Sequence, residues 1–199
     1  SAASDVYKRQ EGGHGVVVLS PNAIKRLSTF HPERPMPKIF RLVKNGKLIE
    51  GVYEGETLNT PSMFCVADAL DSLMWIKEIG GLTETIRRSN ENFKCLQGWV
   101  DKTPWIENLV SDPRNRSNTS VCLKFSDKRL ISLIPREKTR FVKEFVALLE
   151  AENAAFDIKG HRNAPPGLRI WCGATINLDD IQKLLPWLEY CFHEIISSY

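Results

Sequence analysis

The sequence predicts an α/β protein, because runs of β-branched residues alternate with stretches of helical periodicity. Over residues 118–198 the predicted order is strand, helix, strand, strand, helix, which indicates a small sheet covered on one side by helices. The 42% hydrophobic and 26% charged content is that of an ordinary globular protein. A chain of 199 residues is long enough for a sizeable core in one or two domains.

The amino-terminal third contains signals for a strand, a helix and a hairpin. A short β-branched run at 16–19 predicts a buried strand, and Ser20 and Pro21 follow it as the N-cap and the first residue of a helix. Residues 30–60 are irregular by pattern, apart from "KNGK" at 44–47, which predicts a two-residue hairpin turn.

Two helices are predicted next, over 62–79 and 82–100, with Gly80 and Gly81 between them. The first helix carries apolar residues close to one face, and the second directs its apolar residues inward. The residues of the first set are Phe64, Ala67, Leu70, Leu73, Met74 and Ile76, and those of the second are Ile86, Phe93, Leu96 and Val100.

The last 80 residues contain the elements of the small sheet. Pro186 lies within the final helix and is expected to kink it. The predicted elements are a strand at 119–125, a helix at 136–153, a short extended segment at 154–158, a strand at 168–174 and a closing helix at 178–196.

Composition excludes several classes of function. The formal net charge is +3 and no dense Lys/Arg block occurs, so neither nucleic-acid binding nor membrane-surface binding is predicted. No run of about 18 apolar residues is present that would predict a membrane span. The cysteines lie far apart without metal-ligand spacing, so we expect no metal site and reduced core thiols in a cytoplasmic protein. These cysteines are Cys65, Cys95, Cys122, Cys172 and Cys191.

The stretch "GHRNAPPGLRIW" at 160–171 concentrates positive charge on a stiff loop before a strand. Arg162 and Arg169 carry planar donor groups suited to a carboxylate or a phosphate, and His161 adds a donor whose charge depends on pH. The alternative is a solvated loop in which Arg169 extends its charged end into solvent or pairs with a structural acid. The spacing of the residues leaves both possibilities open.

A second candidate anion site precedes the helix at 62–79. Asn59 and Thr60 lie just before Pro61, so side-chain donors and free backbone N–H groups gather at one helix N-terminus, which suits a phosphate. The alternative is plain N-capping of the helix by Asn59 or Thr60. No triad, zinc or nucleotide-binding motif of the common kinds is present in the sequence.

Four blocks of the sequence occur in a characteristic order: "GHGVVVLSPNAIKRL", "PMPKIFRLVKNGKLIEGVYEGETLNTPSM", "RSNTSVCLKF" and "APPGLRIWCGAT". Together they resemble the phosphoserine aminotransferase family, from about Glu11 onwards. The resemblance implies the type I fold of pyridoxal-phosphate (PLP) enzymes, a cytoplasmic homodimer with active sites at the subunit interface, and amino transfer between phosphoserine and 2-oxoglutarate in serine biosynthesis. It also implies a carboxy-terminal fragment, with 11–79 as the tail of the large domain and 80–199 as the small domain. Residues 1–10, "SAASDVYKRQ", resemble no element start and are interpreted as a non-native leader.

The resemblance also implies roles for the residues of both candidate sites. Asn59 and Thr60 match a pair that binds the cofactor phosphate of the neighbouring subunit. Arg169 matches the arginine that binds the substrate α-carboxylate, and His161 and Arg162 match the pair that receives the substrate phosphate. The loop is one residue longer here, with Pro-Pro, than in the better-known bacterial branch.

The residues before Glu11 limit what activity we expect. The resemblance places the family's Schiff-base lysine a few residues before the "EGGHG" stretch, within the predicted leader, so no catalytic residue is assigned and the fragment alone is expected to be inactive. Alternatives are another type I aminotransferase, using serine or alanine with glyoxylate, and a non-catalytic α/β module that binds an anion or a partner.

Overall fold

The computed structural model describes residues 18–30, 32–57, 60, 62–161 and 163–199. The chain divides into two compact units, residues 1–75 and 76–199, which are described separately below. This division lies inside a helix, whereas the sequence predicted a boundary between 79 and 80. The assignment of 11–79 and 80–199 to two family domains stays a prediction, and the expected leader at 1–10 lies outside the described residues.

The first unit contains short elements, and the predicted N-cap and hairpin turn are observed in it. The Ser20 hydroxyl accepts a hydrogen bond of 3.2 Å from the backbone N–H of Ala23, as expected of an N-cap. Asn45 and Gly46 have φ values of 53° and 76°, the left-handed conformation that a two-residue hairpin turn requires. Its elements are helix α1 (Pro21–Thr29), strands β1 (Val43–Lys44) and β2 (Lys47–Leu48), and most of helix α2 (Met63–Glu78), with 3-10 turns at Lys38–Phe40 and Glu50–Tyr53.

The strand predicted at 16–19 is not observed where the structure describes it. Val18 and Leu19 are in no strand, and 16–17 lie outside the described residues. A strand needs a neighbour for its backbone hydrogen bonds, and an apolar run alone does not supply one.

The second unit contains a three-stranded antiparallel sheet and its helices. Helix α3 begins directly after Gly80, whose φ of 115° separates it from α2. The elements are α3 (Gly81–Val100), β3 (Ile106–Asn108), a 3-10 turn at Pro113–Asn115, β4 (Ser120–Phe125), α4 (Lys128–Ile131), α5 (Pro135–Ala151), β5 (Leu168–Trp171) and α6 (Leu178–Ile196).

The sheet has the order β3-β4-β5, and one of its faces is buried. Val121 pairs with Ile170 and Leu123 with Leu168, and all four side chains are buried. Helix α6 packs against both α3 and α5. A small sheet with one buried face is therefore confirmed, but its third strand is β3, which the sequence analysis missed, and the strand predicted at 154–158 is not observed.

The core of the second unit joins the sheet to three helices. Trp105 stacks on Phe192 with ring centroids 4.0 Å apart, and Phe125 meets Phe145 edge-on at 5.2 Å. Its fully buried large side chains include Leu96 of α3, Leu123 of β4, Phe141, Phe145 and Leu149 of α5, Leu168 and Ile170 of β5, and Leu188 of α6.

Burial corrects one part of the prediction for α3. Leu96 and Val100 are buried and Phe93 packs against the core, as expected, but Ile86 is exposed. The buried residues of α3 begin at Ser89, so Ile86 lies before the packed part of the helix. Helix α6 continues through Pro186, and the expected kink there stays a prediction.

All five cysteines are free; Cys65, Cys172 and Cys191 are buried, whereas Cys95 and Cys122 are only partly buried. Among the described residues, no helix is long and apolar enough to cross a membrane. The same part of the chain has no cluster of three or more His, Cys, Asp or Glu side chains that could bind a metal ion.

Candidate functional site

The loop at 160–167 is closed at its base by backbone hydrogen bonds. The N–H of Gly160 donates to the carbonyl of Gly167 at 3.0 Å, and the N–H of Arg169 donates to the carbonyl of Ile158 at 2.7 Å. Lys159 forms a bridge with Leu168 between these two pairs. The two ends of the loop are therefore tied together before β5 begins.

Gly167 fixes the position of this loop against the sheet. A Cβ atom at this residue would lie 2.2 Å from the carbonyl oxygen of Leu123 in β4, so only glycine allows the approach. Pro165 and Pro166 restrict the backbone immediately before it. The loop is thus anchored at its carboxy-terminal end, two residues before Arg169.

Arg169 lies on the sheet face that the helices do not cover. It pairs in register with Cys122, between the buried pairs Val121–Ile170 and Leu123–Leu168. Because side chains alternate along a strand, Arg169 lies on the opposite face from those pairs. Its side chain is 31% exposed, so the guanidinium is positioned by the strand and still open to a ligand.

The guanidinium of Arg169 contacts a carboxylate of its own chain. Its Nη2 atom donates to Oδ2 of Asp157 at 3.3 Å, and the Asp157 side chain is 89% exposed. The sequence predicted an extended segment here, but Asp157 has a φ of 54° in a bend. Pairing of Arg169 with an acid, which the sequence left open, is therefore observed, although this acid is exposed and not part of the core.

His161 lies at the start of the loop and forms a tight turn. Its Nδ1 accepts a hydrogen bond from the N–H of Asn163 at 3.2 Å, and its carbonyl accepts one from Ala164 at 2.8 Å. In the neutral ring this arrangement leaves the proton on Nε2, which is then a donor. The side chain is exposed. Its predicted neighbour in function, Arg162, lies outside the described residues.

Thr60 belongs to the first unit and is exposed. It does not cap α2, because the hydroxyl of Ser62 accepts from the backbone N–H of Cys65 at 3.3 Å. N-capping by Thr60, the alternative raised by the sequence, is therefore wrong. Asn59 lies outside the described residues, so its roles in phosphate binding or in N-capping both stay predictions.

Sequence reasoning missed a buried residue that supports the strand of Arg169. Asn92 of α3 is 1% exposed, and its side-chain amide donates to the carbonyls of Ile176 at 2.8 Å and Cys172 at 3.4 Å. It thereby fixes the segment after β5 to the helix. A polar residue among the inward positions of an amphipathic helix signals a buried hydrogen bond, but the acceptors lie some 80 residues away along the chain.

Cys172 follows β5 directly but is not placed for nucleophilic chemistry. Burial, with a smaller effect of nearby Cys95, raises the pKa of the Cys172 thiol to about 12. The thiol is therefore protonated at neutral pH. What the described residues of this region offer is cationic and hydrogen-bonding groups that can bind an anion.

Comparison with known proteins bears on this arrangement. No family model matches the chain. The phosphoserine aminotransferase of Methanosarcina mazei is 44% identical over 182 residues, which cover 92% of this chain and 46% of that protein. The phosphoserine aminotransferase of Methanosarcina barkeri is 44% identical over 185 residues, covering 92% and 47%.

The chain belongs to the phosphoserine aminotransferase family. It spans about half the length of the curated relatives that it matches. The resemblance stated from the four sequence blocks is thereby confirmed.

Solved structures show the same fold. The phosphoserine aminotransferase of Bacillus circulans subsp. alkalophilus matches with a TM-score of 0.56 at 23% identity, over 68% of this chain and 34% of that one. The PLP-bound enzyme of Trichomonas vaginalis matches with a TM-score of 0.57 at 22% identity, over 69% and 36%. The predicted fold class, that of PLP-dependent phosphoserine aminotransferases, is confirmed.

Proposed function

We propose that this protein acts as a phosphoserine aminotransferase, which exchanges the amino group between phosphoserine and 2-oxoglutarate to give 3-phosphohydroxypyruvate and glutamate in serine biosynthesis. The observation that carries the proposal is the 44% identity to phosphoserine aminotransferases over 92% of the chain. PLP, when bound, carries the amino group between the substrates and stabilises the electron pair left on the substrate when its Cα proton is removed.

Arg169 is proposed to bind the α-carboxylate of the substrate. Its guanidinium is partly exposed on the uncovered face of the sheet, and the two backbone ladders on either side of β5 fix its Cα. Two parallel N–H donors match the two oxygens of a carboxylate, so one bidentate contact fixes both position and orientation. Fixing the carboxylate fixes the amino group, whose placement decides the rate of transfer.

The substrate phosphate is proposed to bind His161 together with Arg162. The backbone hydrogen bond between Ile158 and Arg169 places these two residues opposite each other. His161 lies three residues beyond Ile158, which corresponds to roughly 10 Å along a strand. Anion-binding side chains at the two ends of a closed loop suit a small substrate that carries an anion at each end. The exposed imidazole, with Nε2 as a donor, supports this role.

The cofactor phosphate is proposed to bind Asn59 and Thr60 of the neighbouring subunit, in a cytoplasmic homodimer. The hydroxyl-bearing Thr60 is exposed, and the 16-residue helix α2 begins three residues later, at Met63. Since Ser62 caps that helix, the Thr60 hydroxyl is not consumed as its N-cap. A hydroxyl ahead of a helix N-terminus fits a phosphate dianion.

The chain spans about half the length of its curated relatives, so the activity is proposed for a full-length enzyme, and the kinetic tests below use that enzyme.

Steady-state kinetics of the full-length enzyme test the two substrate contacts separately. Arg169→Lys keeps the charge but loses the planar fork, so we expect kcat/KM for phosphoserine to fall by about 10- to 100-fold. The control is Lys124→Ala. Lys124 is another exposed cation on the same uncovered face of the sheet, where it pairs with Glu107, so its loss is expected to change kcat/KM by less than about twofold.

The phosphate contact is tested by replacing its two proposed donors together. His161→Ala with Arg162→Ala is expected to lower kcat/KM for phosphoserine by at least about 100-fold and to leave that for plain serine nearly unchanged. Equal losses with both substrates would show that the phosphate is bound elsewhere, and would favour an aminotransferase for unphosphorylated amino acids.

A further inference from the structure

We infer that Asp157 is a resident counter-ion of Arg169, which an incoming substrate carboxylate must displace, and that Asp157 thereby sets the affinity of this site for carboxylates. The inference rests on the proposed role of Arg169. Asp157 is a residue to which the family resemblance gave no role. With Asp157 as counter-ion, a substrate carboxylate binds by replacing the Asp157 carboxylate at Arg169.

The contact itself is weak in geometry. One hydrogen bond of 3.3 Å joins Nη2 of Arg169 to Oδ2 of Asp157, where a bidentate pair between these side chains would have two of about 2.8 Å. The carboxylate of Asp157 is 89% exposed, so water and salt screen its attraction to the guanidinium. A contact of this kind keeps the arginine occupied without holding it firmly.

The backbone explains why this carboxylate stays near Arg169. The next residue, Ile158, is buried, and its carbonyl accepts the N–H of Arg169 itself at 2.7 Å. Asp157 also has a φ of 54°, which turns the chain out of the ladder at this point. Asp157 is therefore tethered beside Arg169 by main-chain bonds, independently of the strength of the side-chain contact.

Charge determines what this arrangement does to a ligand. A substrate carboxylate that takes both donors of the fork replaces a single exposed hydrogen bond with two, so displacement is favourable. The displaced Asp157 carboxylate remains close and repels the newcomer, since the backbone holds it there. Removing the charge of Asp157 should therefore strengthen binding of any carboxylate at Arg169, and should leave ligands without a carboxylate unaffected.

The test is a titration of the 199-residue chain, followed through the Nε–H resonance of Arg169 in NMR spectra at low salt. O-phospho-L-serine is the carboxylate probe, and O-phosphoethanolamine is its counterpart without the carboxylate. We expect Asp157→Asn to lower the Kd for phosphoserine about two- to fivefold and to leave that for phosphoethanolamine unchanged. Asn suits a residue with positive φ, so this variant should keep the fold.

Three further variants complete the design. Asp157→Gly removes the carboxylate without backbone strain and should match Asp157→Asn, whereas Asp157→Glu keeps the charge and should return the Kd towards the starting value. Asp179→Asn removes an exposed carboxylate that pairs with Lys183 on α6, and serves as the matched control with no expected effect.

The outcomes separate this inference from the proposed function. If Arg169→Ala abolishes phosphoserine binding while Asp157→Asn and Asp157→Gly bind as the unchanged chain does, or more weakly, the role of Asp157 is overturned and that of Arg169 stands. If no saturable binding depends on Arg169, the proposed carboxylate site is overturned together with this inference.

Discussion

The two units of the chain differ in how far they bury the apolar side chains of their helices. In residues 76–199 the apolar faces of α5 and α6 are buried against a three-stranded sheet. Among the described residues of 18–75, Cys65 alone is buried. Both regions contain helices that carry apolar residues, and both contain β signals. The difference shows that periodicity determines which element forms, while burial depends on whether the same unit supplies a surface for it.

Two phenylalanines illustrate this. Phe145 lies on α5 and is fully buried, with Phe125 and Phe141 against its ring. Phe64 lies on α2 and is 76% exposed. Each was at an apolar position of a predicted helix. Burying a side chain of this size contributes roughly 1.5–3 kcal/mol, so the same residue type differs widely in what it contributes.

The largest expected effect is on the core of the second unit. Phe145→Ala should lower its free energy of unfolding by about 3–5 kcal/mol, because it removes buried surface and leaves a cavity among packed rings. Phe64→Ala, the matched change in the first unit, should cost no more than about 0.5 kcal/mol. Denaturant unfolding followed by tryptophan fluorescence measures both. Equal losses would mean that the exposed face of α2 is buried in solution.

Amide hydrogen exchange compares the units without any substitution. We expect the amides of β4, α5 and α6 to exchange at least about 100-fold more slowly than those of α1, because opening them exposes the common core. Within the first unit, the short β1–β2 hairpin should exchange rapidly, since two-residue strands form few hydrogen bonds. Equal protection in the two units would contradict the comparison.

A buried polar contact should matter less than the aromatic core but more than a surface contact. Asn92→Ala removes the amide donor from the carbonyls of Ile176 and Cys172, and should destabilise the second unit by about 1–3 kcal/mol. Asn90, one of its neighbours on α3, is exposed and accepts from Asn118 at 2.8 Å. Asn90→Ala should therefore change stability by less than about 0.5 kcal/mol. Thermal unfolding of both variants tests this, and similar midpoints for the two would argue against the role given to Asn92.

The smallest expected effect concerns acid stability. Hydrogen bonds from Arg87 and Arg88 lower the pKa of Glu84 to about 2, from an ordinary value of 4.5. Because the folded pKa is the lower one, the stabilisation is present above pH 4.5 and is lost as the pH falls from there towards 2. Glu84→Gln should lower the thermal midpoint at pH 7 by about 1–2 °C and have no effect near pH 2.

Its control is Glu150→Gln, on the exposed side of α5. A pH-independent effect of Glu84→Gln would show that packing, and not charge, is what the substitution changes.

Local features of this fold could be predicted well from the sequence, and long-range ones poorly. Ser20, Pro21 and the Asn45–Gly46 turn act within a few residues, and the closing helix was predicted with its observed limits. Strand β3 was missed, because three residues carry little periodicity and its position depends on pairing with β4.

The same distinction between local and long-range features holds for the candidate site. The placement of Arg169 on a strand behind a stiff loop followed from Pro165–Gly167 and the apolar run after it. Its contact with Asp157 could not be predicted, since it depends on a left-handed residue twelve positions earlier and on a backbone bond between Ile158 and Arg169.

The Gly160–Gly167 hydrogen bond and the close packing of Gly167 against β4 separate the length of the loop from the position of the strand that follows it. Residues can be gained or lost between the two glycines without shifting the strand beyond them. In the proposed site, the distance between the residues proposed to bind the phosphate and Arg169 would therefore change with loop length alone, while the sheet keeps Arg169 in place.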